Sequence, residues 1–472
     1  MMNRISILSP ALGCIFSVYI LNASAQQKPN VIFILADDMG YGDLGCYGQK
    51  LIRTPNIDLL ASGGIRFTRF YAGTSVCAPS RSSLLTGQHT GHTAIRGNYE
   101  IQPEGQLPLP DSTYTMAKMF KEARYITGCF GKWGLGFVGS SGDPVKQGFD
   151  QFFGYNCQRQ AHNYFPDHLW DNDERVNLAN TNASQKEYAP ELIQKKILAF
   201  IENNKAKPFF LFLTYTLPHA GLQLPAGDKL LEAYKQQFEE KPRSVKLPWD
   251  GNGYQPQEYP HAAYAAMVTK LDHYVGEIKN ELTTLGIENN TLIIFTSDNG
   301  PHREGGNDPE FFKSSGGLRG IKRDLYEGGI REPMIAYWPA VIKKKKDDEQ
   351  MGAFWDFFPT FAEMAGQPIP SSSDGISLLP TLRSKGKQKQ HDYLYWEFHE
   401  DGGSQAVRMG NWKAVRLGVM QDPDSPILLF NLSKDQQEQD NVAAENREVV
   451  LKAKLIMKKA HVENKNFPFI KE

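Results

Sequence analysis

The stretch VIFILADD, residues 31–38, places six consecutive apolar residues directly before two aspartates. A short apolar run without polar alternation is typical of a strand that is buried on both faces of a parallel sheet. Four more runs have this character: YITGCF (125–130), FFLFLTY (209–215), LIIFTS (292–297) and MIAYW (334–338). Helical patterns separate them, at residues 115–123, 190–203, 262–285 and 353–365. This alternation predicts an α/β fold in which a mostly parallel sheet is sandwiched by helices.

The pattern of the chain changes after residue 383. HDYLYWEF, QAVRMGNWKAVRL and ILLFNL alternate apolar and polar residues between turns, as antiparallel strands do, and a charged helical segment follows at 444–460. We therefore predict a main domain at residues 26–383 and a smaller C-terminal α+β subdomain, an antiparallel sheet plus a helix, at residues 384–472. The charged segment KKKKDDEQ, residues 343–350, is interpreted as a solvated loop.

Residues 1–25 have the features of a secretion signal peptide. Arg4 precedes an apolar stretch, and Ala23-Ser24-Ala25 gives the small-x-small pattern of a cleavage site. A short membrane anchor is the alternative, but the apolar run is short for a bilayer, and no later segment has the apolar length to cross one. The sequence thus predicts a secreted or periplasmic protein without a stable membrane span.

The overall charge and the cysteines exclude several classes of protein. The formal net charge is -1, and a nucleic-acid-binding protein would carry a basic surplus, so we expect no nucleic-acid partner. The five cysteines show no zinc-ligand spacing and are too few for a disulfide scaffold. One or two disulfides and free buried thiols both stay open. The cysteines are Cys14, Cys46, Cys77, Cys129 and Cys157.

Polar side chains follow four of the predicted strands. Ligands of open parallel sheets bind beyond the carboxyl ends of the strands, so these side chains should meet at one edge. Each one alone also fits a cap or a turn, but together three carboxylates and an amide are hard ligands that suit calcium or magnesium rather than zinc. A lysine and a histidine beside such a cation suit an anionic substrate. The residues are Asp37, Asp38, Lys132, His219, Asp298 and Asn299.

The segment SVCAPSRSSLLTG, residues 75–87, puts a cysteine at the start of a helix. Pro79 suits the first turn of that helix and Gly87 suits its end. Free backbone N–H groups and the helix dipole at such a start favour negative charge, and Arg81 adds a fixed positive charge. An activated thiolate is one interpretation of Cys77, although hard-metal carboxylates are poor neighbours for a thiolate nucleophile.

At Cys77-Ala78-Pro79-Ser80-Arg81, continued by Leu84-Leu85-Thr86-Gly87, the sequence resembles the signature of type I sulfatases, in which the cysteine is oxidised after translation to formylglycine. The resemblance implies an alkaline-phosphatase-like fold, sulfuric ester hydrolysis in the domain at 26–383, and a formylglycine-generating maturation enzyme as a partner. Other segments are similar to the family in the same order, and they cover most of the chain from Pro29 to Leu382. They are PNVIFILADDMGYGDLGCYG, GKWGLG, QGFDQFFGY, YAAMVTKLDHYVG, TSDNGPH, LRGIKRDLYEGGIREP and DGISLLP.

The resemblance also implies a mechanism and a set of site residues. The formylglycine aldehyde hydrates, one hydroxyl attacks sulfur and displaces the alcohol, and the other hydroxyl collapses to expel sulfate and restore the aldehyde. A calcium ion, with magnesium as the alternative, would polarise the sulfate. The implied metal ligands are Asp37, Asp38, Asp298, Asn299 and residue 77. The other implied roles are Arg81 for the aldehyde hydrate, Lys132 and Lys322 for the sulfate, and His219 as proton donor to the leaving group.

The chain departs from the family pattern at Gly134, where many members have a histidine that contacts the formylglycine hydroxyl. His302, which follows DNGP, is a candidate to supply an imidazole from another direction, and a place in the substrate pocket or in solvent is the alternative. Arg96 and Asn98 in IRGN, and His399 in WEFHE, are the other candidate substrate-binding residues. Turn or packing roles are the alternative for these three.

The resemblance suggests a substrate class. The family acts on aryl, steroid and carbohydrate sulfates, and its secreted bacterial members mostly take sulfated glycans. We therefore expect a sulfated carbohydrate, with galactose or N-acetylgalactosamine sulfate as the specific expectation. Two other functions stay open: a phosphatase or phosphodiesterase of the same fold, and a non-catalytic sulfated-glycan binding protein with an unmodified cysteine, which the missing histidine motivates.

Overall fold

A computed structural model describes residues 28–181, 184–245, 253–343 and 346–469. The predicted signal peptide, residues 1–25, lies outside the described residues. The described strands are β1 (Asn30–Ala36), β2 (Ile65–Tyr71), β3 (Glu100–Ile101), β4 (Gly105–Gln106), β5 (Ile126–Lys132), β6 (Gln151–Tyr155), β7 (His168–Asp171), β8 (Glu174–Asn177), β9 (Phe209–Thr214), β10 (Thr291–Ser297), β11 (Arg331–Tyr337), β12 (Lys346–Asp348), β13 (Gly352–Ala353), β14 (Leu394–Phe398), β15 (Ser404–Met409), β16 (Trp412–Leu417) and β17 (Ile427–Asn431). The described α-helices are α1 (Pro55–Gly63), α2 (Cys77–Thr86), α3 (Met116–Glu122), α4 (Ala189–Asn204), α5 (Lys229–Phe238), α6 (Pro260–Thr284), α7 (Pro309–Phe312), α8 (Glu327–Ile330), α9 (Phe357–Ala365), α10 (Leu379–Arg383) and α11 (Arg447–Ala460).

Eleven of the described strands form the main sheet, in the order β12-β2-β11-β10-β1-β9-β5-β6-β7-β8, with β13 paired to β2. The central strands β10, β1, β9, β5 and β6 pair in parallel, as the apolar runs predict. Antiparallel pairs lie on either side of this block, between β10 and β11 and between β6 and β7. The prediction of a mostly parallel sheet flanked by helices, with a small antiparallel sheet at the C-terminus, is confirmed.

β1 shows why an unbroken apolar run is needed at the centre of this sheet. Ile32 and Ile34 pack into one buried cluster with side chains of α1, α4 and α6. Val31 and Phe33 face the other side and pack with side chains of α2, α3 and α9. Each such side chain contributes about 1.5–3 kcal/mol by burial, so a polar residue on either face would weaken the sheet.

Two local predictions for this sheet were wrong. MIAYW belongs to β11, which runs antiparallel to β10 rather than parallel. The chain after β10 stays at the carboxyl edge, where the Gly300 N–H donates to the Gly329 carbonyl at 3.0 Å, so β11 begins at that edge and runs back. Within the segment interpreted as a loop, residues 346–348 form β12, an edge strand parallel to β2. Charged residues are common on such edges because they discourage pairing with other chains.

The C-terminal sheet is antiparallel, in the order β14-β15-β16-β17. One face packs Trp396 and Val415 against Tyr71 and Trp355 of the main part of the chain. The other face is covered by α11, where the sequence predicts a helix at 444–460. The boundary between two domains at residue 383 stays a prediction. Within the described ranges, no helix has the length and apolar character that a membrane span requires.

Candidate active site

The carboxyl ends of β1, β5 and β10 bring together five of the residues that the sequence singles out. Asp37 and Asp38 follow β1, Lys132 is the last residue of β5, and Asp298 and Asn299 follow β10. All five are buried. Three strands of one parallel block therefore deliver acids, an amide and an ammonium group to one place.

The loop after β9 joins the same edge. Its Leu217 carbonyl accepts a hydrogen bond from the Asp37 N–H at 3.2 Å. This loop carries His219, whose Nε2 lies 3.3 Å from Asp38 Oδ2. Lys322 reaches the same oxygen from the segment before α8, with its Nζ 2.8 Å away. Six segments distant in sequence, counting α2 described next, thus contribute to one cluster.

Cys77 is the first residue of α2, and its side chain points into this cluster. Sγ lies 3.3 Å from Asp37 Oδ1 and 3.4 Å from Lys132 Nζ. Asn98 supports this helix start, because its Oδ1 accepts the Ala78 N–H at 3.1 Å. Burial and the charge of Asp37 raise the pKa of the Cys77 thiol well above its usual range, and the nearby Lys132 does not compensate. The unmodified side chain is therefore a buried thiol and not the activated thiolate that the helix start suggested.

The other cysteines do not form disulfides in the described part of the chain. Cys46, Cys129 and Cys157 are free, as is Cys77. Of the two possibilities that the sequence left open, the structure has free thiols. Among the described residues no disulfide restrains α2, so its packing and its hydrogen bonds hold Cys77 in place.

Asp38 and Asp298 are fixed to one another by backbone and side-chain contacts. Asp38 has a φ of 61°, and its N–H donates to Asp298 Oδ1 at 3.1 Å. Arg81 binds the other oxygen, Oδ2, through Nε at 3.1 Å and Nη2 at 2.9 Å. Asn299 Nδ2 donates to Asp38 Oδ1 at 2.7 Å. A left-handed aspartate costs about 1–3 kcal/mol and persists only where its surroundings fix it, which is common at functional sites.

The oxygen donors of this cluster fit a hard divalent cation. Asn299 Oδ1 is buried and has no hydrogen-bond partner among the described residues. Burial and the charge of Asp37 raise the pKa of Asp298 to about 7, because Arg81 beside it does not outweigh them. Carboxylates and an unpartnered amide oxygen are the ligands that calcium and magnesium prefer. Asp37, Asp38, Cys77 and His219 also offer ligand atoms that all lie within 4.8 Å of one another.

Two buried lysines carry the positive charge that faces Cys77. Lys132 Nζ lies 2.7 Å from Asp37 Oδ2, and Lys322 Nζ lies 2.8 Å from Asp38 Oδ2. Burial works to lower the pKa of both ammonium groups, but the aspartates outweigh it and raise the pKa of each. Burial likewise works to raise the pKa of Asp37, and Lys132 outweighs it, so that this carboxyl is ionised. Lys322 likewise lowers the pKa of Asp38, so both lysines and both aspartates remain charged at neutral pH.

His219 is neutral in this environment. Burial lowers its pKa to about 3; Asp38 opposes this shift, whereas Lys132 and Lys322 add to it. Its Nδ1 contacts the Ala220 carbonyl, so Nδ1 carries the proton and Nε2 is free to accept a hydrogen bond. Lys322 Nζ lies 3.3 Å from that Nε2. His219 is thus not an imidazolium at neutral pH. A proton for a leaving group would have to come with the help of Lys322.

A cavity of about 660 Å³ opens over the cluster. Cys77, His219, Lys322 and Asn98 line it, together with residues that the sequence interpretation did not name. Such a volume is within the usual range of small-molecule sites, about 300–1,000 Å³. The cavity gives a ligand direct access to residue 77. Those unnamed residues include Gln158, Arg159, His162, His168 and Tyr254, and Glu400 of the segment WEFHE also lines the cavity.

A signal for two of these missed residues was present in the sequence. QFFGY forms β6, which pairs in parallel with β5, so the residues after it reach the same carboxyl edge. Gln158 and His162 follow β6 within seven residues. The His162 ring stacks on the His219 ring with a centroid distance of 5.1 Å. Had QFFGY been interpreted as a strand, its following residues would have been candidates.

Three candidate substrate-binding residues do not line the cavity. Arg96 and His399 both bind Glu397, with Arg96 Nη1 3.1 Å and His399 Nε2 2.8 Å from Glu397 Oε2. His302 is buried behind the His219 loop, where its Nε2 lies 3.2 Å from the Pro218 carbonyl. Their hydrogen-bonding atoms are directed at protein partners or buried among them. Of the four candidates, Asn98 alone lines the cavity.

Comparison with known proteins identifies the chain. The family model described as Sulfatase matches residues 29–367, and the model described as N-sulphoglucosamine sulphohydrolase, C-terminal, matches residues 321–465. The chain belongs to the sulfatase family. Human arylsulfatase A is 33% identical to this sulfatase over 465 residues, which cover 89% of this chain and 84% of the relative. Rat N-acetylgalactosamine-6-sulfatase is 33% identical over 424 residues, which cover 84% of this chain and 72% of the relative.

A solved structure supports the same relationship. The crystal structure of Ps i-CgsB in complex with k-i-k-neocarrahexaose is 29% identical to this sulfatase, with a TM-score of 0.76 over 92% of each chain. The resemblance found in the motifs is confirmed, and this sulfatase is a sulfuric ester hydrolase. The cluster around Cys77 lies within the matched region, and its charged groups suit this chemistry.

Proposed function

We propose that this sulfatase hydrolyses the sulfate ester of a sulfated carbohydrate through a formylglycine formed from Cys77, with a bound calcium ion, magnesium being the alternative. The observation that carries the proposal is the state of Cys77. Its thiol is buried against Asp37 and Lys132, with a raised pKa, so the unmodified side chain is a poor nucleophile. A formylglycine would supply a hydrated aldehyde, with one hydroxyl to attack sulfur and a second to release sulfate afterwards.

Asp37, Asp38, Asp298 and Asn299 would hold the cation, which would polarise the sulfate and favour deprotonation of the attacking hydroxyl. The charge balance of the site supports this assignment. Three aspartates face three permanent cations, Arg81, Lys132 and Lys322, in ion pairs of 2.7–2.9 Å. A divalent cation would therefore leave a net positive site, which attracts the negative charge of a sulfate ester.

The chain's own residues would orient the reacting groups. Lys132 Nζ lies 3.4 Å from Cys77 Sγ, so this ammonium would hold both the attacking oxygen of the modified residue and a sulfate oxygen. Arg81 would act through Asp298, whose Oδ2 it binds twice. Lys322 and His219, whose Nζ and Nε2 lie 3.3 Å apart, would serve the oxygen that leaves sulfur: the Lys322 ammonium would pass a proton to His219 Nε2, and His219 would donate that proton to the leaving oxygen.

The substrate class rests on the cavity and on the relatives. The cavity has room for a sugar beside residue 77, and its lining is rich in hydrogen-bonding side chains. The relatives include an N-acetylgalactosamine-6-sulfatase and a structure in complex with a neocarrahexaose. We therefore propose galactose or N-acetylgalactosamine sulfate as the specific substrate. Modification of Cys77 also requires a formylglycine-generating enzyme as a partner, and we propose export of the protein to the periplasm or the exterior.

Mass spectrometry of the peptide that contains residue 77 tests the proposal directly. The protein would be expressed with and without a formylglycine-generating enzyme, and release of nitrophenol from nitrophenyl sulfate and nitrophenyl phosphate would be measured. We expect the aldehyde mass only with the enzyme, and sulfate turnover in proportion to it. An intact thiol with no sulfate release would favour the non-catalytic binding protein, and faster phosphate hydrolysis would favour the phosphatase.

A further inference from the structure

Gln158 occupies the space that a side chain at position 134 would need. Gly134 has a φ of +76°, and a Cβ added there would overlap the carboxamide nitrogen of Gln158. Lys132, two residues earlier, contacts Cys77 Sγ through its Nζ. The left-handed backbone favours glycine at 134, and a Cβ at this position would displace the carboxamide of Gln158.

The carboxamide of Gln158 is buried and unpaired in the part of the chain that the structure describes. Gln158 is 8% exposed, and neither Nε2 nor Oε1 has a hydrogen-bond partner among the described residues. Leaving a buried polar group unpaired costs about 1–3 kcal/mol, so such groups are rare unless something else binds them. The backbone of Gln158 is held, since its N–H donates to Gln106 Oε1 at 3.2 Å. A fixed backbone with an unpaired amide is a feature of a ligand-binding residue.

The same side chain lines the cavity above Cys77, together with His219 and Lys322. Its contact with position 134 puts it near the Lys132 end of the site, whereas the outer rim is formed by charged residues such as Glu100 and Asp167. The donors already at the inner end are ammonium groups paired with aspartates. A neutral carboxamide offers one more N–H donor there without a carboxylate partner to compete for it.

From these observations we propose that Gln158 is a substrate-binding residue, whose carboxamide Nε2 donates a hydrogen bond to the sulfate group of the ester. This inference rests on the proposed sulfate ester hydrolysis at residue 77. It assigns to Gln158, which reaches the site from the segment after β6, the space beside Lys132 that Gly134 leaves open. Because an amide does not titrate, this contact would be independent of pH.

The test compares four variants of the matured protein on nitrophenyl sulfate, which has a sulfate group but no sugar. Gln158→Met keeps the length of the side chain and removes its donor, and we expect kcat/KM to fall roughly ten- to a hundredfold, as for a lost hydrogen bond to a charged group. Gln158→Glu should fall further, because a carboxylate repels sulfate. Its deficit relative to the native protein should shrink as the pH falls towards 5, where a protonated carboxyl again donates. A structural role would not give this pH signature.

Gly134→Ala and Gln160→Met complete the set. Gly134→Ala should lower kcat/KM about as much as Gln158→Met, because its methyl group displaces the carboxamide, and the effect on activity should vanish in a Gln158→Gly background. Gln160→Met is the matched control: Gln160 also lines the cavity, but its Nε2 is bound to the His168 carbonyl at 2.9 Å. We expect this variant to stay within about threefold of the native kcat/KM, since no donor to sulfate is lost.

Thermal unfolding and binding of inorganic sulfate keep the outcomes separate. Among the variants that unfold at the native temperature, those changed at Gln158 should bind inorganic sulfate more weakly. Gln160→Met should bind it as the native protein does. If the native protein releases no sulfate although residue 77 is modified, the proposed function fails, yet the affinities still decide the role of Gln158. Native kcat/KM in Gln158→Met, equal losses in both methionine variants, or a loss seen with a sulfated sugar but not with nitrophenyl sulfate would overturn the assignment to sulfate.

Discussion

This sulfatase has two buried clusters of charged residues, one around Glu397 and one around Cys77. They contain similar residue types, but they differ in how far protein groups satisfy their carboxylates. Around Glu397, every partner is protein: Arg96 lies 3.1 Å away, His399 2.8 Å, His461 2.7 Å, and the Tyr395 hydroxyl donates at 2.8 Å. These contacts outweigh burial and lower the pKa of Glu397 to about 2. The carboxylate is thus fully satisfied by the fold.

In the cluster around Cys77, by contrast, the oxygen donors themselves are incompletely satisfied. Asn299 Oδ1 has no partner within the described residues, and burial with the charge of Asp37 raises the pKa of Asp298 to about 7. Both clusters are buried, so burial alone does not separate structure from function. What separates them is whether the partners of each carboxyl outweigh its burial: they do at Glu397 and do not at Asp298, and the cluster of Asp298 is the one that opens into the cavity above residue 77.

The largest difference between the clusters should come from removing one charge at the active site. We expect Asp38→Ala and Lys132→Ala each to lower kcat/KM for nitrophenyl sulfate by more than about a thousandfold, because each loses a group that acts on the reacting atoms. Circular dichroism should show that both variants are still folded, even though removing one partner of a buried ion pair lowers stability. Near-native turnover by either variant would remove the site assignment.

Removing the charge of Glu397 should lower the stability of the protein and leave its turnover nearly unchanged. Glu397→Gln gives up a carboxylate whose pKa is lowered from 4.5 to about 2, which corresponds to about 3 kcal/mol of unfolding free energy at neutral pH. Denaturant unfolding measures this loss, while kcat/KM of the folded fraction should change by less than about threefold. Because the folded pKa is lowered, this stability is present above pH 4.5 in the native protein and is lost as the pH falls towards 2. A loss of turnover without a loss of stability would contradict the comparison.

The comparison also shows what the sequence could and could not predict. The apolar runs placed β1, β9 and β10, and the general rule about strand ends then led to Asp37, Asp298 and their neighbours. This part was predictable because a strand fixes where its next residue lies. The direction of β11 was not, because it depends on the path of the loop between residues 298 and 330.

Arg96 and His399 show why isolated candidates failed. Both were chosen from short segments, IRGN and WEFHE, yet Arg96 pairs with Glu397 across 301 residues of chain. Such pairing depends on how the C-terminal sheet packs on the main part, and no local pattern reports it. Gln158 and His162 were missed for a different reason, because β6 was not interpreted as a strand.

Proton uptake by Asp298 should distinguish the two clusters in a chelated protein. The raised folded pKa, about 7 against 3.8 ordinarily, means that the folded state binds this proton more readily than the unfolded state. Stability without a cation should therefore rise as the pH falls from 7 to 5, by about 1 kcal/mol per pH unit. Unfolding with a chelator measures this rise, which calcium and Asp298→Asn should both abolish. An unchanged slope in Asp298→Asn would assign the proton to another group.

The smallest effect is expected at His399, which the sequence made a candidate for substrate binding. His399 donates towards Glu397 and stacks on Phe469 with a centroid distance of 4.1 Å. His399→Phe keeps the stacking and loses the hydrogen bond, so we expect the unfolding free energy to fall by about 1 kcal/mol. The kcat/KM for a sulfated sugar should stay within about twofold of the native value, because Glu397 and its partners lie outside the cavity. A tenfold loss of kcat/KM on the sugar substrate, with nitrophenyl sulfate turnover unchanged, would show that the Glu397 cluster also serves substrate binding. The distinction between the two clusters would then fail at His399.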